Sequence, residues 1–266
     1  MAERRLSGLI LAAAALLVLT MLWDVLGGGG TPPPPPSAIA DSAPAPARVR
    51  PPPASPPASS GGAVAPLAQD ERYMEQLARS EARRRIRSSA GITYLNEILA
   101  SSNDSMLRRW DNRSANPVRV WLRPGTAANY QPAFLDAVRA AFARWRDAGV
   151  PVQFDLNADS TNGEVVFRWR VQFDIDRTGQ TDLTWDQDGH VESGVVTLAT
   201  FNHLGQPMGP DEIRLVALHE IGHLIGLDHS PDSTDLMYPV AKVRDLSDRD
   251  IQTARLLYRL SPGSIR

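Results

Sequence analysis

The residues of this sequence best suited to chemistry are three histidines and a glutamate in the last fifth of the chain. His219 and His223 are four residues apart in a segment with good helix character, so both imidazoles project from one face and can take adjacent corners of a zinc tetrahedron. Glu220 lies beside them, placed to accept a proton from a water at the metal. Gly226 lets the chain leave the helix through a left-handed conformation, which would bring His229 back as a third ligand. The spacing therefore predicts one catalytic zinc ion.

The full pattern is much more specific than its first half. A His-Glu-x-x-His sequence arises by chance often enough to be weak evidence. With the glycine and the third histidine added, the pattern is expected by accident on the order of 10⁻⁵ times in a chain of this composition. Three of the five histidines of the chain fall within it. A set of ordinary core histidines on an amphipathic helix would not be expected to keep this spacing.

These residues resemble the metzincin zinc endopeptidases. The histidine pattern is followed by Asp235-Leu236-Met237-Tyr238-Pro239, which is similar to the turn that places a methionine beneath the metal in that family. We call residues 235–239 the Met-turn. Ser230, directly after the third histidine, and the Met-Tyr-Pro run resemble the matrixin branch, which includes the matrix metalloproteinases. Pro239 stands where astacins and serralysins place a zinc-binding tyrosine, so the resemblance implies three protein ligands and a water.

The resemblance also implies an activity and a substrate site. It implies a zinc endopeptidase that hydrolyses a protein or peptide substrate, with Glu220 as general base and Met237 as a packing residue. Leu215 and Pro239 would line the substrate site, and Leu215 favours an apolar side chain just after the cleaved bond. The tyrosine that the family carries two residues after the proline is replaced by Ala241. An extended substrate is expected to pair with an edge strand near residues 181–185.

The chain departs from matrixins where they hold further metal ions. Matrixins keep a structural zinc and calcium ions in a loop before the active-site helix, but only His190 and His203 remain here and the loop looks too short. We therefore expect no second zinc. Asp186 and Asp188 could bind calcium, but a hairpin turn explains them more simply.

The chain contains no cysteine. This excludes a disulfide scaffold, a thiolate zinc site, a cysteine nucleophile and the propeptide cysteine on which matrixin latency depends. If residues 67–113 regulate the enzyme, they do so by another means. Residues 114–266 carry 15 basic and 20 acidic side chains, and this acidic balance argues against non-specific nucleic-acid binding.

The N-terminus contains a membrane signal. Residues 6–23 form a run of eighteen residues without a charge, preceded by Arg4 and Arg5. We favour an uncleaved transmembrane anchor, with residues 1–5 in the cytoplasm, over a signal peptide that is cleaved; a buried helix of a soluble protein is a weaker alternative. Both favoured interpretations place the remainder of the chain outside the cytoplasm, either tethered to the membrane or secreted.

A proline-rich linker separates this signal from the rest of the chain. Residues 31–66 hold 13 of the 22 prolines, with much of the remainder Ala and Ser, so residues 24–66 cannot build a core. The proline runs favour extended polyproline II, which would act as a semi-rigid spacer. Residues 67–113 are predicted to be helical, with residues 68–100 as the helix, and residues 114–266 to form the catalytic domain.

From residue 117 strand-like and helix-like patterns alternate. Strands are predicted over residues 118–122, 152–156, 165–171, 181–185 and 190–200, with a helix over 131–147, the histidine-bearing helix and a last helix that starts at Ser247 and Asp250 with a capping box. This order predicts an α+β fold: a twisted mixed β-sheet with one helix on its face, an active-site helix and a C-terminal helix.

Two functions of other kinds remain open on the sequence alone. One is a membrane-tethered binding module with a structural zinc ion, although such sites usually have four protein ligands and no fourth is evident. The other is a hydrolase of narrow specificity that acts on the peptide cross-links of a cell wall. A screen of substrates would separate the second from a general endopeptidase.

Overall fold

A computed structural model describes residues 65–102, 104–111 and 113–266. The expected anchor at residues 6–23 lies outside these residues, as does all but the end of the expected linker at 24–66. None of the helices in the described part of the chain is both long enough and apolar enough to cross a membrane. The transmembrane anchor at residues 6–23 and the proline-rich linker at residues 24–66 therefore stay predictions.

The described residues form five helices and seven strands. In chain order they are α1 (Ala65–Ser88), α2 (Leu95–Ser101), β1 (Met106–Leu107), β2 (Val118–Leu122), α3 (Ala133–Asp147), β3 (Phe154–Asp155), β4 (Val165–Arg170), β5 (Gly179–Trp185), β6 (Val191–Ala199), α4 (Pro210–Leu224), α5 (Asp248–Leu257) and β7 (Gly263–Ser264).

Most of the predicted elements are observed, and two of them differ in extent from the prediction. The helical segment predicted over residues 68–100 forms two helices, α1 and α2, because the chain turns at Gly91, whose φ is +83°. The strand over 152–156 shrinks to β3, in which Phe154 and Asp155 are the residues in register with β2. The capping box of the last helix is confirmed, since Ser247 Oγ accepts from the Asp250 N–H and the Asp250 carboxylate accepts from the Ser247 N–H.

Five strands form one sheet in the order β3-β2-β4-β6-β5. The neighbouring pairs are parallel except β5 and β6, which are antiparallel, so the mixed sheet is confirmed. The predicted hairpin turn is also observed: the Asp186 N–H donates to the His190 carbonyl over 3.0 Å, and the Gly189 N–H donates to the Asp186 carbonyl over 3.1 Å. This hairpin leaves β5 at the edge of the sheet.

Two helices, rather than the one expected, cover the same face of the sheet. Alternate residues of β4, among them Phe167, share a face with Gly194 of β6 because β4 and β6 are in parallel register. The Phe142 ring of α3 lies 5.4 Å from the Phe167 ring. A Cβ at Gly194 would lie 3.1 Å from Leu224 of α4, so α4 packs on the same face.

The segment before the sheet packs into the same core. Ile86, Tyr94, Leu95, Leu107 and Trp110 are buried among the apolar residues of the sheet and its helices. β1 pairs with β7 near the C-terminus, which ties this segment to the end of the chain.

Candidate active site

Helix α4 carries the first two histidines and the glutamate of the motif. It begins after Gly209 with Pro210 in its first turn, where a missing N–H costs no helical hydrogen bond. Glu212 accepts the Gly209 N–H over 2.8 Å, and its negative charge suits the positive end of the helix dipole. Trp145 of α3 donates its indole N–H to the Leu218 carbonyl over 2.9 Å, which holds α4 against its neighbour.

Gly226 turns the chain out of α4 as the sequence predicted. Its φ is +102°, a conformation that side chains disfavour, and a Cβ there would collide with the Arg108 carbonyl oxygen. The turn is closed by hydrogen bonds from the Gly226 N–H to the His223 carbonyl and from the Leu227 N–H to the Gly222 carbonyl. It returns the chain so that His229 faces the two helical histidines.

The three histidines converge at one point. One ring nitrogen of each lies within 4.8 Å of the others, and the ring centroids are 4.7, 4.9 and 5.4 Å apart. Nδ1 of His219 lies 2.9 Å from the Leu236 carbonyl, and Nδ1 of His223 lies 2.9 Å from the Leu227 carbonyl. Because a carbonyl only accepts, each Nδ1 carries the proton, which leaves both Nε2 lone pairs free for a metal.

The spacing of these nitrogens fits zinc. Nε2 of His219 and Nε2 of His223 are 3.2 Å apart. Two ligands at about 2.05 Å from a tetrahedral zinc ion would be about 3.3 Å apart. The residues present therefore suit an ion with three imidazole ligands.

The electrostatic surroundings keep these imidazoles neutral. Burial and the neighbouring His219 lower the pKa of His223 to about 3. Burial also lowers the pKa of His219 and that of His229. A neutral imidazole is the form that binds a metal, so near neutral pH no proton has to leave these rings first.

Glu220 is buried against the edge strand, with 5% of its surface exposed. Burial raises the pKa of its carboxyl to about 7, and the hydroxyl of Thr181 opposes this rise. Thr181 Oγ1 donates to Glu220 Oε2 over 2.6 Å and lies 3.0 Å from the Glu220 carbonyl oxygen. A Cβ at Gly179 would collide with the same carboxylate, so a larger residue there would require the Glu220 side chain to move.

Thr181 and Gly179 are the site residues that sequence reasoning missed. They precede the motif by about forty residues, and no spacing rule connects a strand to a helix at that distance. The one signal was the prediction that a strand at residues 181–185 lies at the sheet edge where a substrate would pair. The alternation of that strand turns Gly179 and Thr181 to one face, and α4 covers that face.

The Met-turn lies beneath the histidines. Met237 is fully buried, and a Cβ at Gly222 of α4 would collide with its sulfur, so the two segments are in close contact. Leu236 and Met237 both direct their backbone N–H groups to the carboxylate of Asp250, over 2.8 and 3.4 Å. Met237 is therefore placed to pack against the helix that bears the histidines.

A cavity of about 520 Å³ lies beside the first half of α4. Leu215 lines it and stands one helical turn before His219, on the same side of α4. The other lining residues are Asp211, Glu212, Arg214, Ala241, Lys242, Val243 and Arg244. Pro239, expected in the substrate site, is exposed and does not line this cavity.

Comparison of the sequence with known proteins points to one family. The matrixin profile, peptidase family M10, matches residues 123–259, which include the three histidines, Glu220 and Met237. The chain is 35% identical over 153 residues to Metalloendoproteinase 1 of Glycine max, which covers 48% of this chain and 47% of that protein. It is 43% identical over 51 residues to Matrilysin of Felis catus, 19% of this chain and 16% of that protein.

A third relative is Metalloendoproteinase 2-MMP of Arabidopsis thaliana, 38% identical over 56 residues, 20% of this chain and 15% of that protein. The matches thus span about half the length of the soybean relative and less of the other two. The matrixin profile covers just over half of the present chain and contains the whole histidine site. The chain therefore belongs to the matrixin family of metzincins.

Proposed function

We propose that the protein is a zinc-dependent endopeptidase that hydrolyses peptide bonds of extracytoplasmic proteins or peptides. The observation that carries this proposal is the convergence of three neutral histidine nitrogens beside a buried glutamate. Membership of the matrixin family and the names of two relatives, both metalloendoproteinases, support it.

His219, His223 and His229 would hold the zinc ion. Bound there, the ion would supply Lewis-acid chemistry, lowering the pKa of a water and polarising the carbonyl to be attacked. The backbone carbonyls of Leu236 and Leu227 orient two of the rings by accepting their Nδ1 protons. Met237 packs beneath the rings and is not a ligand.

Glu220 would move the protons of the reaction. Its carboxylate takes a proton from the attacking water and delivers it to the leaving amine. In the metal-free protein burial raises the pKa of this carboxyl to about 7, which makes it a stronger base than an exposed carboxylate. The hydroxyl of Thr181 donates to one oxygen of the Glu220 carboxylate. This contact restricts the second carboxylate oxygen to a small range of positions.

The substrate would bind along the edge strand β5. An edge strand presents unpaired N–H and C=O groups, and an extended peptide can add to it as a further strand. The side chain after the cleaved bond would enter the cavity beside the first half of α4, where Leu215, Ala241 and Val243 supply apolar walls. We assign Pro239 to the rim of the substrate cleft, where it is exposed to an incoming peptide.

The protein would work outside the cytoplasm. Residues 6–23 would tether it to the membrane with the N-terminus inside, and residues 24–66 would hold the catalytic unit away from the bilayer. Secretion after cleavage of the N-terminal segment is the alternative. A fractionation experiment that follows both termini of the chain separates the two.

A structural zinc site in a binding module is less well supported. Such sites are usually closed by four protein ligands, whereas the group within ligating distance among the described residues consists of three histidines. A closed site would also give no role to Glu220.

Cleavage of a mixed quenched-fluorescent peptide library by the full chain, loaded with zinc, tests the proposal. We expect the wild type to cleave and Glu220→Ala to bind zinc without cleaving. Glu192→Ala, which removes an exposed carboxylate of β6, is the matched control and should cleave like the wild type. Cleavage by Glu220→Ala at the wild-type rate would contradict the assignment, and peptides with cell-wall cross-links included in the library would reveal a narrower specificity.

A further inference from the structure

A buried carboxylate gathers hydrogen bonds at the base of the Met-turn. Asp250, in the first turn of α5, is completely buried. Its Oδ2 accepts the N–H groups of Leu236 and Ser247, each over 2.8 Å. Its Oδ1 accepts the hydroxyl of Tyr94 over 2.9 Å and lies 3.4 Å from the Met237 nitrogen. Asp250 thus joins the Met-turn to the start of α5 and to a residue far upstream.

Tyr94 reaches this carboxylate from the turn between α1 and α2. It is fully buried, and it is held at both ends, because its own N–H donates to Thr253 Oγ1 of α5 over 3.1 Å. The next helix keeps it there, since Leu95 and Leu99 of α2 are buried in the core. The Tyr94 hydroxyl has little freedom to find another acceptor.

A continuous path of hydrogen bonds runs from Tyr94 to the candidate metal site. Asp250 holds the N–H of Leu236, and the carbonyl of the same residue accepts the Nδ1 proton of His219 over 2.9 Å. The peptide groups on either side of Leu236 therefore connect the carboxylate to a histidine ring. A shift of Leu236 changes the direction in which that ring points its Nε2.

We propose that Tyr94 is a positioning residue of the metal site, which orients His219 through Asp250 and Leu236. Without the hydroxyl, the contact left to Asp250 Oδ1 from the described part of the chain is the longer one from the Met237 N–H. A buried carboxylate that lacks a donor moves or attracts another group, because an unsatisfied buried acceptor is costly. A displacement of Asp250 would shift Leu236, whose N–H it binds. Tyr94, which lies upstream of the residues that the matrixin profile matches, therefore helps to set the affinity for the metal. This inference rests on the proposed function only in naming the metal as zinc.

The test is the affinity of the full chain for zinc(II) alone, measured by competition with a chromophoric chelator. Tyr94→Phe removes the hydroxyl and keeps the ring, and we expect the dissociation constant to rise about 10-fold, the lower range seen for groups that orient metal ligands. Tyr73→Phe removes the hydroxyl of a tyrosine that is 66% exposed on α1, and should leave the affinity unchanged.

A second control separates positioning from general loss of stability. Leu99→Ala removes a buried side chain of the same segment that is not on the path, so it should lower the melting temperature without weakening zinc binding. In metal-free protein, the NMR signal of the His219 Nδ1 proton should shift in Tyr94→Phe and not in Leu99→Ala. If Tyr94→Phe fails to fold, Thr253→Ala, which removes the acceptor of the Tyr94 N–H, should show the same weakening.

Wild-type zinc affinity in Tyr94→Phe would overturn the proposal, as would an equal weakening in Leu99→Ala. Its failure is distinguishable from failure of the proposed peptidase. A protein that binds zinc, loses affinity in Tyr94→Phe and cleaves no peptide would contradict the peptidase assignment alone. A protein that cleaves peptides with unchanged zinc affinity in Tyr94→Phe would contradict the positioning role alone.

Discussion

Two buried carboxyl groups of this protein differ in how many hydrogen-bond donors surround them. Asp250, beneath the Met-turn, accepts hydrogen bonds from two backbone N–H groups and a tyrosine hydroxyl, with a third backbone N–H at longer range. Glu220, packed against the edge strand, has one side-chain donor among the described residues, the hydroxyl of Thr181. Burial is similar, with 0% and 5% of the residue surface exposed. The group that supports the structure is saturated with donors, whereas the candidate base is left with capacity to take up a proton.

The difference shows how burial can be used to tune a base. A carboxylate loses its hydration when it is buried, and hydrogen bonds from the protein can replace it. Around Glu220 this replacement is incomplete, so the pKa of its carboxyl rises to about 7. Perturbed carboxyl groups of this kind are concentrated at functional sites.

The largest expected effect comes from removing the charge of Glu220. Glu220→Gln keeps the shape of the side chain and the contact to Thr181, but it cannot accept a proton. We expect kcat/KM for peptide cleavage to fall about 10³-fold with zinc content unchanged. Steady-state kinetics together with metal analysis of the purified variant check this. A variant with full turnover would show that Glu220 is not the base, so that its contrast with Asp250 would have no catalytic meaning.

Removing the carboxylate of Asp250 should affect stability first. Asp250→Ala leaves the N–H groups of Leu236 and Ser247 and the hydroxyl of Tyr94 buried without an acceptor. We expect the free energy of unfolding to fall by about 4 kcal/mol, measured by urea denaturation. Asp248→Ala, an exposed aspartate in the same helical turn, is the control and should cost less than about 1 kcal/mol.

The pH dependence of stability should distinguish Glu220 from a satisfied carboxylate. In the metal-free protein its pKa is raised from 4.5 to about 7, so the folded state favours the protonated form. Its contribution to stability is complete below pH 4.5 and is lost as the pH rises through 7, a change of about 3 kcal/mol. The free energy of unfolding of the wild type minus that of Glu220→Gln, measured with a chelator present, should fall over this interval.

The opposing effect of the histidines cancels in that difference. The lowered pKa of His223 makes both proteins lose stability as the pH falls below 6.5 towards 3. A difference curve that is flat between pH 4.5 and 7 would show that Glu220 is better solvated than its surroundings indicate.

The smallest effect is expected from removing the Thr181 hydroxyl, which donates to Glu220. Thr181→Val keeps the shape of the side chain and removes the hydroxyl, so the carboxylate is less well fixed. We expect kcat to fall about 10-fold with little change in KM. One hydrogen bond from a neutral hydroxyl to a charged carboxylate contributes on the order of 1.5 kcal/mol. Thr181→Ser should restore most of the activity, and a Ser variant as slow as the Val variant would indicate that packing rather than the hydroxyl matters.

The local parts of the site were accessible to sequence reasoning. The position of His223 one turn after His219 follows from helix geometry, and the left-handed turn at Gly226 follows from the residue type. The hairpin before β6 was predicted from its Asp-Gly turn and is observed. The turn at Gly91 between α1 and α2 was not located from the sequence, because helical periodicity is present on both sides of it.

The sequence by itself determined which histidines and which glutamate are candidates for the chemistry, because helix and turn geometry relate neighbours a few positions apart. Only the tertiary structure decided how Glu220 and His219 are held. Thr181 contacts Glu220 across 39 positions, and Tyr94 contacts Asp250 across 156. Such pairs are set by the packing of β5 against α4 and of the Tyr94 turn against α5. The burial that raises the pKa of Glu220 likewise arises only when those elements close around it.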